Sequence, residues 1–162
     1  MRIFVITLIL FLQIIASPIA AQDFNKGLAA AQAGDFATAL KEWMPLAEDG
    51  DSISQYNLGL MYNNGWGVPQ DYKEAVKWYT LAAEQGYAMA QSNLGFMYDN
   101  GQGVPQDNVM AHMWYNVGAA NGNEIGGKNR DIVSKNMTSE DISKAQAMAR
   151  ECMNSNYQNC GY

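Results

Sequence analysis

The chain has 162 residues, ten basic against sixteen acidic, for a net charge of −6. That acidic balance excludes non-specific binding to nucleic acid or anionic lipid, both of which need a basic face. A single histidine, His112, and only two cysteines, Cys152 and Cys160, argue against a metal site and imply no cofactor.

The first element is a leader. Arg2 is a short basic start, and Ile3 to Ile15 is apolar apart from Thr7 and Gln13. Small residues follow at Ala16, Ser17, Ala20 and Ala21, which predicts an export signal over residues 1–21 cleaved after Ala21. The apolar run is shorter than the roughly 20 residues a spanning helix needs, so no stable membrane insertion is expected. The predicted location is periplasmic or secreted. In an oxidising compartment the close pair Cys152 and Cys160 predicts a disulfide, with two free thiols as the alternative.

Residues 51–86 laid over 87–122 without a gap match at 18 of 36 positions. This density marks stacked copies of one supersecondary unit and moves the functional question from a pocket to a surface. In the first copy, Ile53 to Asn64 reads as a helix with Ser54, Leu58, Gly59 and Tyr62 on its buried stripe. A glycine at one helical register in both copies, Gly59 and Gly95, predicts the close approach of another helix backbone. Gly65-Trp66-Gly67-Val68-Pro69-Gln70 breaks the helix, and Asp71 and Asp107 sit where an N-cap is needed. A second helix follows, carrying Ala75, Trp78, Tyr79, Leu81, Ala82 and Ala83 and closed by Gly86. The second copy repeats this from Ala88 to Asn100 and from Asp107 to Asn121.

A degenerate copy over residues 22–50 precedes these two. Its loop is about four residues shorter, so Phe24, Gly27 and Leu28 correspond to Tyr56, Gly59 and Leu60, and Trp43 to Tyr79. Residues 123–162 break the period. A helix over Asn123 to Asn136 is expected with Ile125, Ile132 and Val133 inward and Gly126-Gly127 weakening it. Thr138 and Asp141 form a capping-box signature for a final helix, Ser139 to about Asn154, that caps the array. The fold class is therefore all-α, an α/α solenoid of antiparallel helix pairs with a C-terminal capping helix.

The pattern of Ala90, Leu94, Gly95, Tyr98, Gly101, Gly103, Val104, Asp107, Ala111, Trp114, Ala119 and Gly122 resembles the Sel-like repeat family, relatives of tetratricopeptide repeats. The first copy departs from it only at Ser54, where the family has alanine. The resemblance implies a non-catalytic adaptor for protein–protein contact and, in exported bacterial members, a role in envelope or secretion-linked assemblies. The alternative it leaves is a β-lactam- or peptidoglycan-binding hydrolase-like protein. Relatives with that association pair cysteines within every repeat, and none occurs here between residues 51 and 122.

In a curved stack the first helix of each unit lines the inner face. The candidate binding residues for a protein or peptide partner are Phe24, Leu28 and Ala31, then Ile53, Tyr56, Leu60 and Asn63, then Met89, Ser92, Phe96 and Asp99. So many apolar side chains off the core stripe suit an extended or helical peptide. The alternative is that some of them pack against a neighbouring unit. No catalytic set accompanies them. His112 aligns with Val76 on a second helix, and no serine or cysteine sits in a nucleophile elbow. Trp78-Tyr79 and Trp114-Tyr115 recur at one register, which favours core packing over a carbohydrate platform.

Overall fold

The computed structural model describes residues 23–161, so the expected leader at residues 1–21 lies outside the described residues. Eight α-helices follow in order: α1 (Phe24–Gln32), α2 (Phe36–Glu48), α3 (Ser52–Asn64), α4 (Tyr72–Ala83), α5 (Ala88–Asn100), α6 (Asn108–Ala120), α7 (Glu124–Val133) and α8 (Ser139–Asn154), with a 3-10 turn at Ser134–Asn136. No strand occurs among the described residues, and no helix there is long and apolar enough to cross a membrane. Helices α1 and α2, α3 and α4, and α5 and α6 pair antiparallel and stack in sequence, giving an α/α solenoid.

Carboxylates start most of these helices. Asp23, Asp35, Asp51, Asp71 and Asp107 each accept backbone amides of the turn they precede, which satisfies donors the helix itself leaves open. Asn123 and Thr138 do the same for α7 and α8. At α8 the Thr138 hydroxyl also donates to the Asp141 carboxylate at 2.8 Å, so the expected pairing forms within the side chains. Only α5 begins without a side-chain cap, at Tyr87. Beyond α4 the chain turns at Gly86, whose φ of 82° favours glycine. Its amide bonds the Ala83 carbonyl, while the Tyr87 amide bonds that of Ala82.

Within each pair one contact recurs. The rings of Trp43, Tyr79 and Tyr115 press onto Gly27, Gly59 and Gly95. A Cβ built on Gly95 would stand 2.6 Å from Cδ1 and 2.9 Å from Cγ of Tyr115. The glycines therefore seat an aromatic ring from the paired helix, not the helix backbone that the sequence suggested. Neighbouring pairs meet at a second small position, where Ser54, Ala90 and Gly126 are all buried.

A polar staple joins successive pairs. Buried Gln55 donates its amide to the Ala47 carbonyl at 3.0 Å and accepts from Gln85 at 2.7 Å. Gln91 repeats this with Ala83 at 3.0 Å and Asn121 at 2.8 Å. Replacing Gln91 by leucine should lower stability by about 1 kcal/mol, because the side-chain bonds to the Ala83 carbonyl and from Asn121 are lost while the Gly86 amide still serves that carbonyl. Urea unfolding would measure it. A midpoint equal to that of the parent protein would show that the staple contributes nothing.

Beyond α6 the structure differs from expectation. Ile125 and Ile132 are 66% and 57% exposed, and only Val133 of the expected trio is buried. The reason is register: α7 continues the row of first helices, so Ile125 stands where Met89 and Ile53 do, and Ile132 where Phe96 does. Gly126 lets α7 lie against Ser92 and the Tyr115 carbonyl. Leu81 on α4 is exposed as well.

Helix α8 folds back on α6 and buries Ala145, Ala149 and Cys152. Cys152 and Cys160 form a disulfide with Cα atoms 4.4 Å apart, both buried. The loop it closes places the Tyr157 ring near Gly86 and lets the Tyr157 hydroxyl donate to the Asn121 side chain at 3.0 Å. The loops between paired helices also have fixed berths. Gly67 lies against Phe36 at the start of α2, and Gly103 against Tyr72 at the start of α4. At the start of α6, Asn136 and Met137 share a cleft with Asn108 and Val109.

Candidate binding groove

The same seven positions line two successive niches. The first, about 300 Å³, has Leu28, Ala31, Gln32, Trp43, Asn57, Leu60 and Met61, with Phe36 and Trp66 at its rim. The second, about 280 Å³, has Leu60, Asn63, Asn64, Tyr79, Asn93, Phe96 and Met97. With the shorter loop of the first pair allowed for, each residue of the first has its counterpart in the second, and Leu60 is shared as the ridge between them. Trp66 stacks on Phe36 with centroids 5.3 Å apart and planes 12° apart, which builds a wall that the second niche lacks.

The first helices of the three pairs, which supply most of the lining, carry almost no charge. Helix α3 has none, α1 only Lys26, and α5 only Asp99. Lys26 pairs with Glu42 of α2, and this contact raises the lysine pKa and lowers that of the carboxylate. Burial pushes the Tyr79 hydroxyl far above its ordinary pKa, partly offset by a hydrogen bond with Asn93, so it stays neutral at any physiological pH.

The expected inner-face residues divide by environment. Leu28, Ile53, Met89 and Phe96 are exposed, and Leu60 and Ala31 are half-buried within the niches. Asn63 lines the second niche, and its buried Oδ1 has no hydrogen-bond partner among the described residues. Others are partly structural. Phe24 packs at 5.9 Å on Trp43, and Tyr56 packs between Tyr79 at 6.0 Å and Tyr87 at 5.1 Å. Asp99 accepts from the Tyr115 hydroxyl at 3.4 Å.

Ser92 is a correction. It is buried beneath Gly118 and Gly126, because its side of α5 faces α6 and α7, so it is not part of an open face. Reasoning from the sequence also missed Asn57 and Asn93, as it missed Gln55 and Gln91. All four are polar residues kept identical between the two copies of one helix, and that identity was the available signal.

Two further sequence candidates resolve as core. Trp78, Tyr79, Trp114 and Tyr115 are all buried. His112 on α6 is 2% exposed, and its Nδ1 has no hydrogen-bond partner among the described residues. Burial lowers its pKa from the ordinary 6.5, and the Arg130 charge lowers it further. The unfolded chain therefore takes up a proton that the folded chain resists. Stability should be constant above about pH 6.5 and fall as pH drops below it toward the folded-state value. His112→Gln should flatten urea midpoints compared at pH 7.5 and 5.5, both roughly bracketing the histidine range. An unchanged slope would refute this origin.

Comparisons with known proteins agree with this geometry. A family model described as Sel1 repeat matches residues 52–87 and 88–123. Among solved structures, the chain is similar to a protective antigen present in uropathogenic Escherichia coli strains that displays an SLR fold. That similarity has 29% identity and a TM-score of 0.78 over 82% of this chain and 30% of that one. It is also similar to a Sel1 repeat protein from Oxalobacter formigenes, at 32% identity and a TM-score of 0.57, over 68% of this chain and 98% of that one. The chain thus spans less than a third of the length of the E. coli antigen. No curated protein matches it.

Proposed function

The chain belongs to the Sel1 repeat family, whose members are generally protein-interaction modules, and on that premise we propose that it is a non-catalytic adaptor of the bacterial envelope that holds a partner polypeptide on the inner face of α1, α3 and α5. The observation that carries this reading is the pair of equivalent apolar niches flanked by exposed Leu28, Ile53, Met89 and Phe96. Large apolar side chains left in water at regular intervals are what an interaction surface offers. An exported location is supported by the leader-like residues 1–21 and by the Cys152–Cys160 disulfide, which suits an oxidising compartment.

The test is capture of a partner from envelope extract. Leu28→Ser combined with Phe96→Ser should reduce recovery by about tenfold or more, since each side chain buried on binding contributes on the order of 1.5–3 kcal/mol. Circular dichroism should stay unchanged, because both residues are already exposed. Leu81→Ser, on the outer side, serves as control. Full recovery by the double variant would place the partner elsewhere.

A further inference from the structure

Resting on the interaction reading above, we propose that the two niches are successive subsites for one uncharged, extended peptide segment in the polyproline conformation. An apolar side chain at residue i fills one niche, and one at residue i+3 fills the other.

Charge sets the class of occupant. Neither niche has a charged lining residue, in a chain whose net charge is −6. A charged side chain would lose its hydration there with no partner to replace it. Spacing sets the conformation. The niches lie on either side of α3, and a helix with its side chains is about 10 Å wide. Three residues of polyproline helix advance about 9 Å and return to the same side. A strand offers same-side neighbours at about 7 Å or 13 Å, which fits less well.

The amides point the same way. Each niche holds one asparagine at the same register, Asn57 and Asn93, and a second amide at its end, Gln32 and Asn64. Asn93 is bonded to Tyr79 and Asn64 donates to the Leu60 carbonyl at 2.8 Å, which leaves Asn57 of the first niche with a side-chain amide that makes no hydrogen bond within the described residues. An extended segment brings free backbone amides and carbonyls to Asn57. A helical segment has already paired its own.

The probes are blocked peptides. One has the sequence Gly-Pro-Leu-Pro-Pro-Leu-Pro-Gly. Others move one leucine a residue closer, replace one leucine by glutamate, or set two leucines two turns apart on an alanine-rich helix. Chitotriose tests a neutral glycan. Binding is read by calorimetry and by the fluorescence of Trp66, with Trp66→Phe identifying that signal. The first peptide should bind, and the shifted and charged peptides should bind about tenfold more weakly or worse. Leu28→Ser and Phe96→Ser should each weaken the first peptide about tenfold, and Leu81→Ser should leave it unchanged. Equal binding of all the peptides, preference for the helix or chitotriose, or no binding of the first peptide at millimolar concentration would overturn the proposal. If an envelope partner is still captured through Leu28 and Phe96 while the first peptide fails, this proposal falls and the adaptor reading stands. If the peptide binds as described while capture ignores those residues, the reverse holds.

Discussion

Alanine at Gly95 is expected to lower the unfolding free energy by about 2 kcal/mol, although alanine is the better helix former by roughly 1 kcal/mol. The loss comes from overlap. The new Cβ would stand 2.6 Å from Cδ1 of Tyr115, a ring only 1% exposed and enclosed by its surroundings. Forcing a methyl group into such packing costs about 1–3 kcal/mol, and the upper part of that range applies where the neighbour cannot swing away. Valine there should cost more, since its branches add to the same overlap. The diagnostic is a double variant. With Tyr115→Leu in place, Gly95→Ala should cost little and could gain its helix propensity, so the two substitutions couple strongly. Additive urea midpoints would show that the ring and the glycine do not meet as described.

The second large effect is expected from the tail. Cys152→Ser, or reduction of the bond with Cys160, should destabilise the protein by about 2.5 kcal/mol, the loop-closure value for cysteines eight residues apart. The damage should begin locally. Without the bond, Tyr157 loses the restraint that holds it near Gly86 and against the Asn121 side chain, while α8 still has Ala145 and Ala149 buried on α6. Amide exchange should therefore rise first after Asn154 and only later through α8. A thermal midpoint indifferent to reductant would mean that the bond is dispensable.

Most of the architecture was legible because it recurs. The glycine registers, the capping aspartates and the Gly-Val-Pro loops each appear twice, and a feature seen twice at a fixed offset identifies its own role. The shortened loop of the first pair was legible too, since Gly27 opposes Trp43 as Gly59 opposes Tyr79. What failed was the choice of side for apolar residues. Helices α3 and α5 are apolar on two sides, one facing core and one facing the niches, so periodicity alone does not separate them. By treating every isoleucine of α7 as inward, the sequence reading put Ile125 and Ile132 in the core. Their registry with Met89 and Phe96 would have placed them outside. Ser92 failed for the opposite reason. It looked polar enough for a surface, but α7, whose packing the sequence did not specify, covers it. The two glutamines were overlooked because a buried amide has no hydrophobic signature.

The berths at the starts of α2, α4 and α6 have a consequence for the length of the array. Two receive the glycine of the following hairpin's loop, Gly67 and Gly103, through backbone contact so close that no side chain fits. The third lies beside Asn136 and Met137, from a single turn that leads straight into α8. Another copy joined after α8 would find that place, and the flank of α6, already taken, whereas one spliced in before Glu124 would carry the turn and the back-folded helix along to its own second helix. The molecule therefore carries a terminator at that end, and lengthening it by tandem duplication would succeed only upstream of the plug.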